Sequence, residues 1–152
     1  MLAVRPDRFP AMNAPDRTFA SPAPGEPQVR DVSELAAWPM IRTLVGFDTT
    51  SRDSNLALIH WVRDHLAGFG IASTLTFDDE RRKANLFATI PARDGNATTG
   101  GIVLSGHTDV VPVDGQPWSS DPFVATPIGD RIVGRGVTDM KSYSATALAL
   151  VP

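Results

Sequence analysis

Residues 104–115 read LSGHTDVVPVDG and place a histidine and an aspartate two positions apart at the end of an apolar run. The letters IVL that lead into this stretch predict a buried strand over residues 101–105. Side chains alternate between the two faces of a strand, so His107 and Asp109 are expected on the same side. The stretch therefore predicts an imidazole and a carboxylate aimed at one place, where the strand enters a Pro/Gly loop.

The composition limits the classes of function that the chain can have. The 152 residues, of which 42% are hydrophobic, suffice for the core of one domain. A net charge of -3 predicts neither a nucleic acid nor a membrane as partner, and no apolar run reaches the roughly 18 residues of a transmembrane helix. Because the chain has no cysteine, any metal would be held by His, Asp and Glu, and disulfides are absent, as is typical of a cytoplasmic protein.

The first 30 residues differ from the rest of the chain. Residues 1–30 hold six of the 13 prolines and show no sustained apolar periodicity, which predicts a disordered, Pro-rich tail. They also lack the apolar segment of a signal peptide. Met12 is an alternative start to Met1. Residues 31–152 are predicted to form the folded part.

Helices are predicted at two places in the first half of that part. Residues 31–46 have helical apolar spacing, although Pro39 must start, kink or break the helix. Residues 55–69 have a clearer helical pattern, in which Ser54 can cap the start and Gly70 can supply the stop.

Strands and a last helix complete an α/β pattern. The predicted strands are residues 73–77, 85–90, 101–105 and 131–133. A glycine-rich turn then leads into a helix that is expected to begin near Met140 or Lys141.

A third candidate residue, Asp139, lies at this glycine-rich turn. The active groups of α/β sheets collect in loops at strand ends. His107 can be a neutral nitrogen ligand, and Asp109 can orient its ring. Together with Asp139, which can bridge two ions, they could form a site for Zn²⁺ or a similar divalent cation.

Structural explanations compete with this interpretation. An H-x-D sequence is more often a hydrogen-bonded structural pair, and Asp139 alone is most simply a helix N-cap. His60 and His65 lie about 140° apart around their predicted helix, so they do not converge on one metal. Both are expected to be structural or solvated.

Three motifs favour the metal-site interpretation over the structural one, because they occur together and in order. They are DTTS at residues 48–51, SGHTDVVPVDGQPWSSDPF at residues 105–123 and GRGVTDMKS at residues 134–142. Together they resemble the N-terminal part of the acetylornithine deacetylase and succinyl-diaminopimelate desuccinylase family, which are co-catalytic zinc amidohydrolases and metallopeptidases. The chain departs from the family pattern at Ser142, where glycine is usual.

The resemblance implies a fold, a site and a reaction. The expected fold is a three-layer αβα catalytic domain of the zinc-peptidase type, with two Zn²⁺ or Co²⁺ ions per complete site. His107 would bind one metal ion, Asp109 would orient the His107 ring, and Asp139 would bridge the two metal ions. The expected reaction is hydrolysis of N-acetylornithine to ornithine and acetate, for arginine biosynthesis in the cytoplasm; desuccinylase, aminoacylase or carboxypeptidase specificity is the alternative.

The resemblance also implies that this chain is an incomplete part of such an enzyme. The family's general-base glutamate, its remaining metal ligands and its dimerisation domain are expected beyond Pro152. Full-length relatives are expected to be homodimers that act on small N-acyl amino acids. The 152 residues alone are therefore expected to be inactive, and a non-catalytic fragment is the competing hypothesis.

Overall fold

The computed structural model describes residues 31–92 and 99–151 of the chain. The predicted tail, residues 1–30, lies outside the described residues. The helices are α1 (Trp38–Val45), α2 (Leu56–Gly68) and α3 (Ser142–Ala149), and the strands are β1 (Ser73–Phe77), β2 (Ala84–Ala88), β3 (Thr126–Ile128) and β4 (Arg131–Val133). A short 3-10 turn at Val32–Glu34 precedes α1, and a π-type turn at Val137–Lys141 leads into α3.

Helix α1 is shorter than the helix predicted over residues 31–46. It begins at Trp38, with Pro39 in its first turn. A proline fits there because the first turn needs no backbone N–H donor, whereas inside a helix its ring would clash with the preceding turn. The residues before Trp38 form the separate 3-10 turn instead, so the N-terminal half of the helix prediction is wrong.

Helix α2 confirms the second helix prediction and its stop signal at Gly70, but its N-cap is Asn55 and not the predicted Ser54. The Oγ of Ser54 accepts a hydrogen bond from the backbone N–H of Leu56 at 3.2 Å, close to the start of the helix. Gly70 follows the end of the helix with φ of +73°, a conformation that glycine adopts without strain. The buried side chains of α2 are Leu58, Ile59, Val62 and Leu66.

The strands form two separate antiparallel hairpins. β1 pairs with β2 and lies at the residues predicted for it; β2 begins one residue earlier and ends two residues earlier than predicted. β3 pairs with β4, which occupies the predicted residues 131–133. Each sheet in the described part of the chain therefore has two strands.

The strand predicted over residues 101–105 is wrong. These residues have no regular structure, and the side chains of Ile102 and Val103 are 89% and 83% exposed. A strand needs a neighbour to satisfy its backbone N–H and C=O groups, and no described strand lies beside this segment. The nearest sheet-like pairing is an isolated parallel bridge between Thr50 and Val110.

The three helices and the first hairpin enclose the apolar core. Its most deeply buried large side chains include Leu44, Val45 and Leu58. A cleft of about 770 Å³ lies between α2, the β1–β2 hairpin and α3, and His107 and Asp109 lie on its wall. None of the helices in residues 31–92 and 99–151 has both the length and the apolar character needed to cross a membrane.

Candidate metal centre

The structure brings His107 of the second motif and Asp139 of the last motif into contact. The Nε2 atom of His107 lies 2.9 Å from Oδ1 of Asp139, across 32 positions of sequence. The π-type turn carries Asp139 to this place in an extended conformation, with φ of -131° and ψ of 95°. Asp139 is not the N-cap of α3, because that position is occupied by Lys141.

The other ring nitrogen of His107 faces Asp109. Nδ1 lies 3.0 Å from the backbone carbonyl oxygen of Asp109 and 3.3 Å from its carboxylate Oδ1. A carbonyl oxygen can only accept a hydrogen bond, so Nδ1 must carry the proton in this contact. Asp109 therefore holds the ring chiefly through its main chain.

This proton assignment leaves two electron-pair donors facing each other. When His107 is neutral, its Nε2 has a lone pair, and the ionised Asp139 carboxylate presents a second acceptor at 2.9 Å. Two acceptors at this distance repel unless a cation lies with them. The pair therefore holds either a proton or a metal ion.

The charges around His107 favour the proton in the metal-free chain. The hydrogen bond to the Asp139 carboxylate raises the pKa of His107 above its ordinary value. Partial burial opposes this rise, while the carbonyl and the carboxylate of Asp109 reinforce it. Metal binding at Nε2 would have to displace this proton.

The donor atoms fit a divalent metal in chemistry and in spacing. Imidazole nitrogen and carboxylate oxygen both bind Zn²⁺ at about 2.0–2.2 Å, which places two tetrahedral ligand atoms roughly 3.3 Å apart. The observed pair would need to open by only a few tenths of an ångström. The Asp139 side chain is 82% exposed, so further ligands can approach. Within the described residues, no group of three His, Asp or Glu side chains is assembled for a metal.

The other two histidines, His60 and His65, lie on α2. His65 stacks on Trp61 with 5.2 Å between ring centroids and an interplanar angle of 8°. The edge of Phe69 packs against the same imidazole. His65 is thus part of an aromatic row on α2, in agreement with the structural role expected for it.

Two buried polar residues beside the pair were missed by sequence reasoning. Lys141 is only 1% exposed, and Thr49 is 2% exposed. Burial lowers the pKa of Lys141 from 10.5 to about 8, while the nearby Asp48 carboxylate opposes the fall. The signal that could have drawn attention to both residues is their place in the first and last motifs.

Comparison with known proteins gives two kinds of match. Residues 103–152 match the family described as Peptidase family M20/M25/M40. An acetylornithine deacetylase of Yersinia pseudotuberculosis serotype O:1b (strain IP 31758) is 36% identical over 105 residues, which are 68% of this chain and 27% of that protein.

Two further relatives carry the same name. The acetylornithine deacetylase of Proteus mirabilis (strain HI4320) is 35% identical over 74% of this chain and 27% of its own length. That of Pasteurella multocida (strain Pm70) is 33% identical over 78% of this chain and 29% of its own length. The chain thus spans less than a third of the curated relatives it matches. On these matches, the chain belongs to peptidase family M20/M25/M40.

Proposed function

We propose that this chain supplies one half of a two-metal site that hydrolyses N-acyl amino acids, with N-acetylornithine as the preferred substrate. The observation that carries the proposal is the contact of His107 Nε2 with Asp139 Oδ1 at 2.9 Å, in which two metal-binding atoms face each other. Family membership and the names of the relatives support a hydrolase of this class.

Each of the three residues has a separate role in the proposal. His107 would hold one Zn²⁺ or Co²⁺ ion through Nε2, and Asp139 would be the carboxylate that both ions share. Asp109 keeps the proton on Nδ1 and so leaves Nε2 free to bind metal. The bound ions would supply a water of lowered pKa and a polarised acyl carbonyl.

The cleft beside His107 supports a small-molecule substrate. Its volume of about 770 Å³ lies within the range of pockets that enclose small ligands. Asn55 and Thr108 on its wall carry polar side chains, while Leu58 and Ile59 are apolar. Such a mixture suits a molecule with an acyl chain and charged amino-acid groups.

The proposal extends to the architecture of the complete site. Residues 31–152 would form part of a three-layer αβα catalytic domain, preceded by the Pro-rich tail. The remaining ligands, a glutamate general base and a dimerisation domain would come from regions of M20 enzymes that this chain does not span. We expect such an enzyme to be a cytoplasmic homodimer.

A second candidate is a chain that binds metal without catalysis. It is favoured by the lack of a third ligand beside His107 and Asp139 within the described residues. Under this hypothesis the 152 residues would bind Zn²⁺ or Co²⁺ weakly and hydrolyse nothing. Desuccinylase, aminoacylase and carboxypeptidase specificities are alternatives within the catalytic proposal.

The test is an assay of the complete product of the gene with N-acetylornithine and N-succinyl-diaminopimelate, in the presence of Co²⁺. We expect His107→Ala and Asp139→Ala each to abolish nearly all turnover. Asp109→Ala should reduce it about 10–100-fold, the usual cost of losing a partner that orients a ligand. Asp79→Ala removes an exposed carboxylate in the β1–β2 turn and should have no effect. Normal turnover in Asp139→Ala would rule out the bridging role.

A further inference from the structure

The DTTS motif follows α1 and forms a turn in which the two threonines are buried while Asp48 and Ser51 are exposed. Oδ1 of Asp48 accepts hydrogen bonds from the backbone N–H of Thr50 at 2.9 Å and from its hydroxyl at 2.7 Å. Thr49 and Thr50 are each 2% exposed. We call residues 47–50 the 47–50 loop. The loop is hydrogen-bonded to the segment that carries His107 and to the segment that carries Asp139.

Thr49 makes two hydrogen bonds with the segment that follows His107. Its hydroxyl donates to the carbonyl oxygen of Thr108 at 2.5 Å, and its own carbonyl accepts from the N–H of Val110 at 3.1 Å. In a trans peptide the N–H and the C=O point in opposite directions. The peptide unit whose Val110 N–H faces Thr49 therefore presents the Asp109 carbonyl on its other side, where it accepts from Nδ1 of His107.

Lys141 links the same loop to the segment that carries Asp139. Its Nζ donates to the carbonyl oxygen of Phe47 at 2.6 Å, and its backbone N–H donates to Gly136 at 2.8 Å. A buried ammonium group without a partner is strongly unfavourable, so this contact fixes the lysine against the loop. Lys141 lies two residues after Asp139, so this contact ties the segment that carries the aspartate to the 47–50 loop.

We propose that the 47–50 loop is the positioning element of the site: Thr49 sets the ring of His107 through the Asp109 carbonyl, and Lys141 sets the position of Asp139. The loop thereby holds Nε2 and Oδ1 within a few tenths of an ångström of the distance that a shared metal ion requires. The benefit of this positioning for metal binding rests on the proposed function. The orientation of the His107 ring by the loop does not depend on a metal ion.

The test compares Thr49→Val, which loses the hydroxyl at nearly constant shape, with Thr49→Ser, which keeps it. Thr43→Val is the matched control, because the Thr43 hydroxyl bonds only the Pro39 carbonyl within α1 among its described contacts. The first readout is the ring ¹⁵N chemical shifts of His107 in the metal-free 152-residue chain, at a pH above its pKa. The second is Zn²⁺ affinity by calorimetry.

We expect wild type, Thr49→Ser and Thr43→Val to show Nδ1 protonated and equal Zn²⁺ affinity. Thr49→Val should show a mixture of tautomers and an affinity about tenfold lower, near the lower limit for residues that orient a ligand. Unchanged ring shifts in Thr49→Val would overturn the positioning role. Lys141→Met should lower the Zn²⁺ affinity without changing the tautomer, and if it does not fold, the Thr49 variants decide.

The two readouts separate the positioning role from the proposed function. If Thr49→Val shifts the ring signals but the wild type binds no Zn²⁺, the loop positions His107 and the metal function is wrong. If the wild type binds Zn²⁺ through His107 while both Thr49 variants match it in both readouts, the metal function stands and the positioning role is wrong.

Discussion

Nε2 of His107 lies 2.9 Å from Oδ1 of Asp139, although 32 positions separate the two residues in sequence. Both atoms are acceptors when the histidine is neutral, because its proton is held on Nδ1 by the Asp109 carbonyl. The contact is stable only with a cation between the two groups. In the metal-free chain that cation is the proton of His107, and in the proposed enzyme it is a metal ion.

The first prediction concerns the proton. Replacing Asp139 by Asn should lower the pKa of His107 toward its ordinary value, because the carboxylate is the largest cause of the rise. The pKa of His107 should stay slightly above its ordinary value, because the contacts with Asp109 remain. NMR titration of the metal-free chain measures the change, with Asp79→Asn as a control that removes a distant carboxylate. An equal pKa in Asp139→Asn and wild type would show that the pair is not formed in solution.

The sign of the effect on stability follows from the same shift. A raised pKa in the folded state means that the protonated histidine stabilises folding at pH values below its unfolded pKa. This contribution is lost as the pH rises through the folded pKa. Since both side chains are substantially exposed, solvent screening should keep the contribution small.

Local signals in the sequence predicted the elements whose causes are local. Gly70 marks the end of α2 because a left-handed glycine acts within one turn of the helix, and Ser54 accepts a hydrogen bond from Leu56 one residue before the N-cap Asn55. The hairpin strand β1 occupies the residues predicted for it, Ser73–Phe77. Pro39 was ambiguous in sequence, and only the start of α1 at Trp38 shows which of its permitted roles it takes.

Elements that depend on distant neighbours could not be predicted in the same way. The apolar run at residues 102–104 has strand-like composition, but pairing requires a partner strand, which no local pattern supplies. The contact of His107 with Asp139 depends on two loops meeting, so the sequence predicted a shared site without the contact itself. The burial of Lys141 gave no signal in composition, since lysine is almost never fully buried unless paired.

The second prediction uses the buried lysine. Its pKa is lowered to about 8, whereas the unfolded chain keeps this proton up to about 10.5. Between these pH values the unfolded state binds more protons, so the contribution of Lys141 to the free energy of unfolding should rise with pH. Urea unfolding of wild type and Lys141→Met across this pH range measures the contribution of Lys141. A stability difference that does not change with pH would contradict the burial of the ammonium group.

The third prediction concerns Gly136, the glycine at which the last motif packs against the second. Gly136 has φ of +81°, and a Cβ there would lie 2.7 Å from Cγ1 of Val110. Gly136→Ala should cost about 1–2 kcal/mol for the left-handed backbone and about 1–3 kcal/mol for the overlap. Gly115 has φ of +69° with open space around it, so Gly115→Ala should incur only the backbone cost. Equal losses in urea unfolding would show that Gly136 is not packed against Val110.

The fourth prediction tests the packing of α1 in the apolar core. Leu44 on α1 is 1% exposed, and its truncation in Leu44→Ala should lower the free energy of unfolding by about 2–5 kcal/mol. Leu150→Ala makes the same chemical change at a side chain that is 77% exposed and should change stability by less than about 0.5 kcal/mol. Similar effects at the two positions would contradict the packing of α1.

Calorimetric titration of the 152-residue chain with Zn²⁺ tests the central claim, that His107 and Asp139 bind a shared metal ion. With two protein ligands in the described pair, where a catalytic zinc site takes about three, binding to the wild type should be saturable but weak. His107→Ala and Asp139→Ala should each weaken it by at least about tenfold, and the double variant should be no weaker than the worse single variant, because either loss breaks the pair. Binding of equal strength in the wild type and both single variants would contradict the claim.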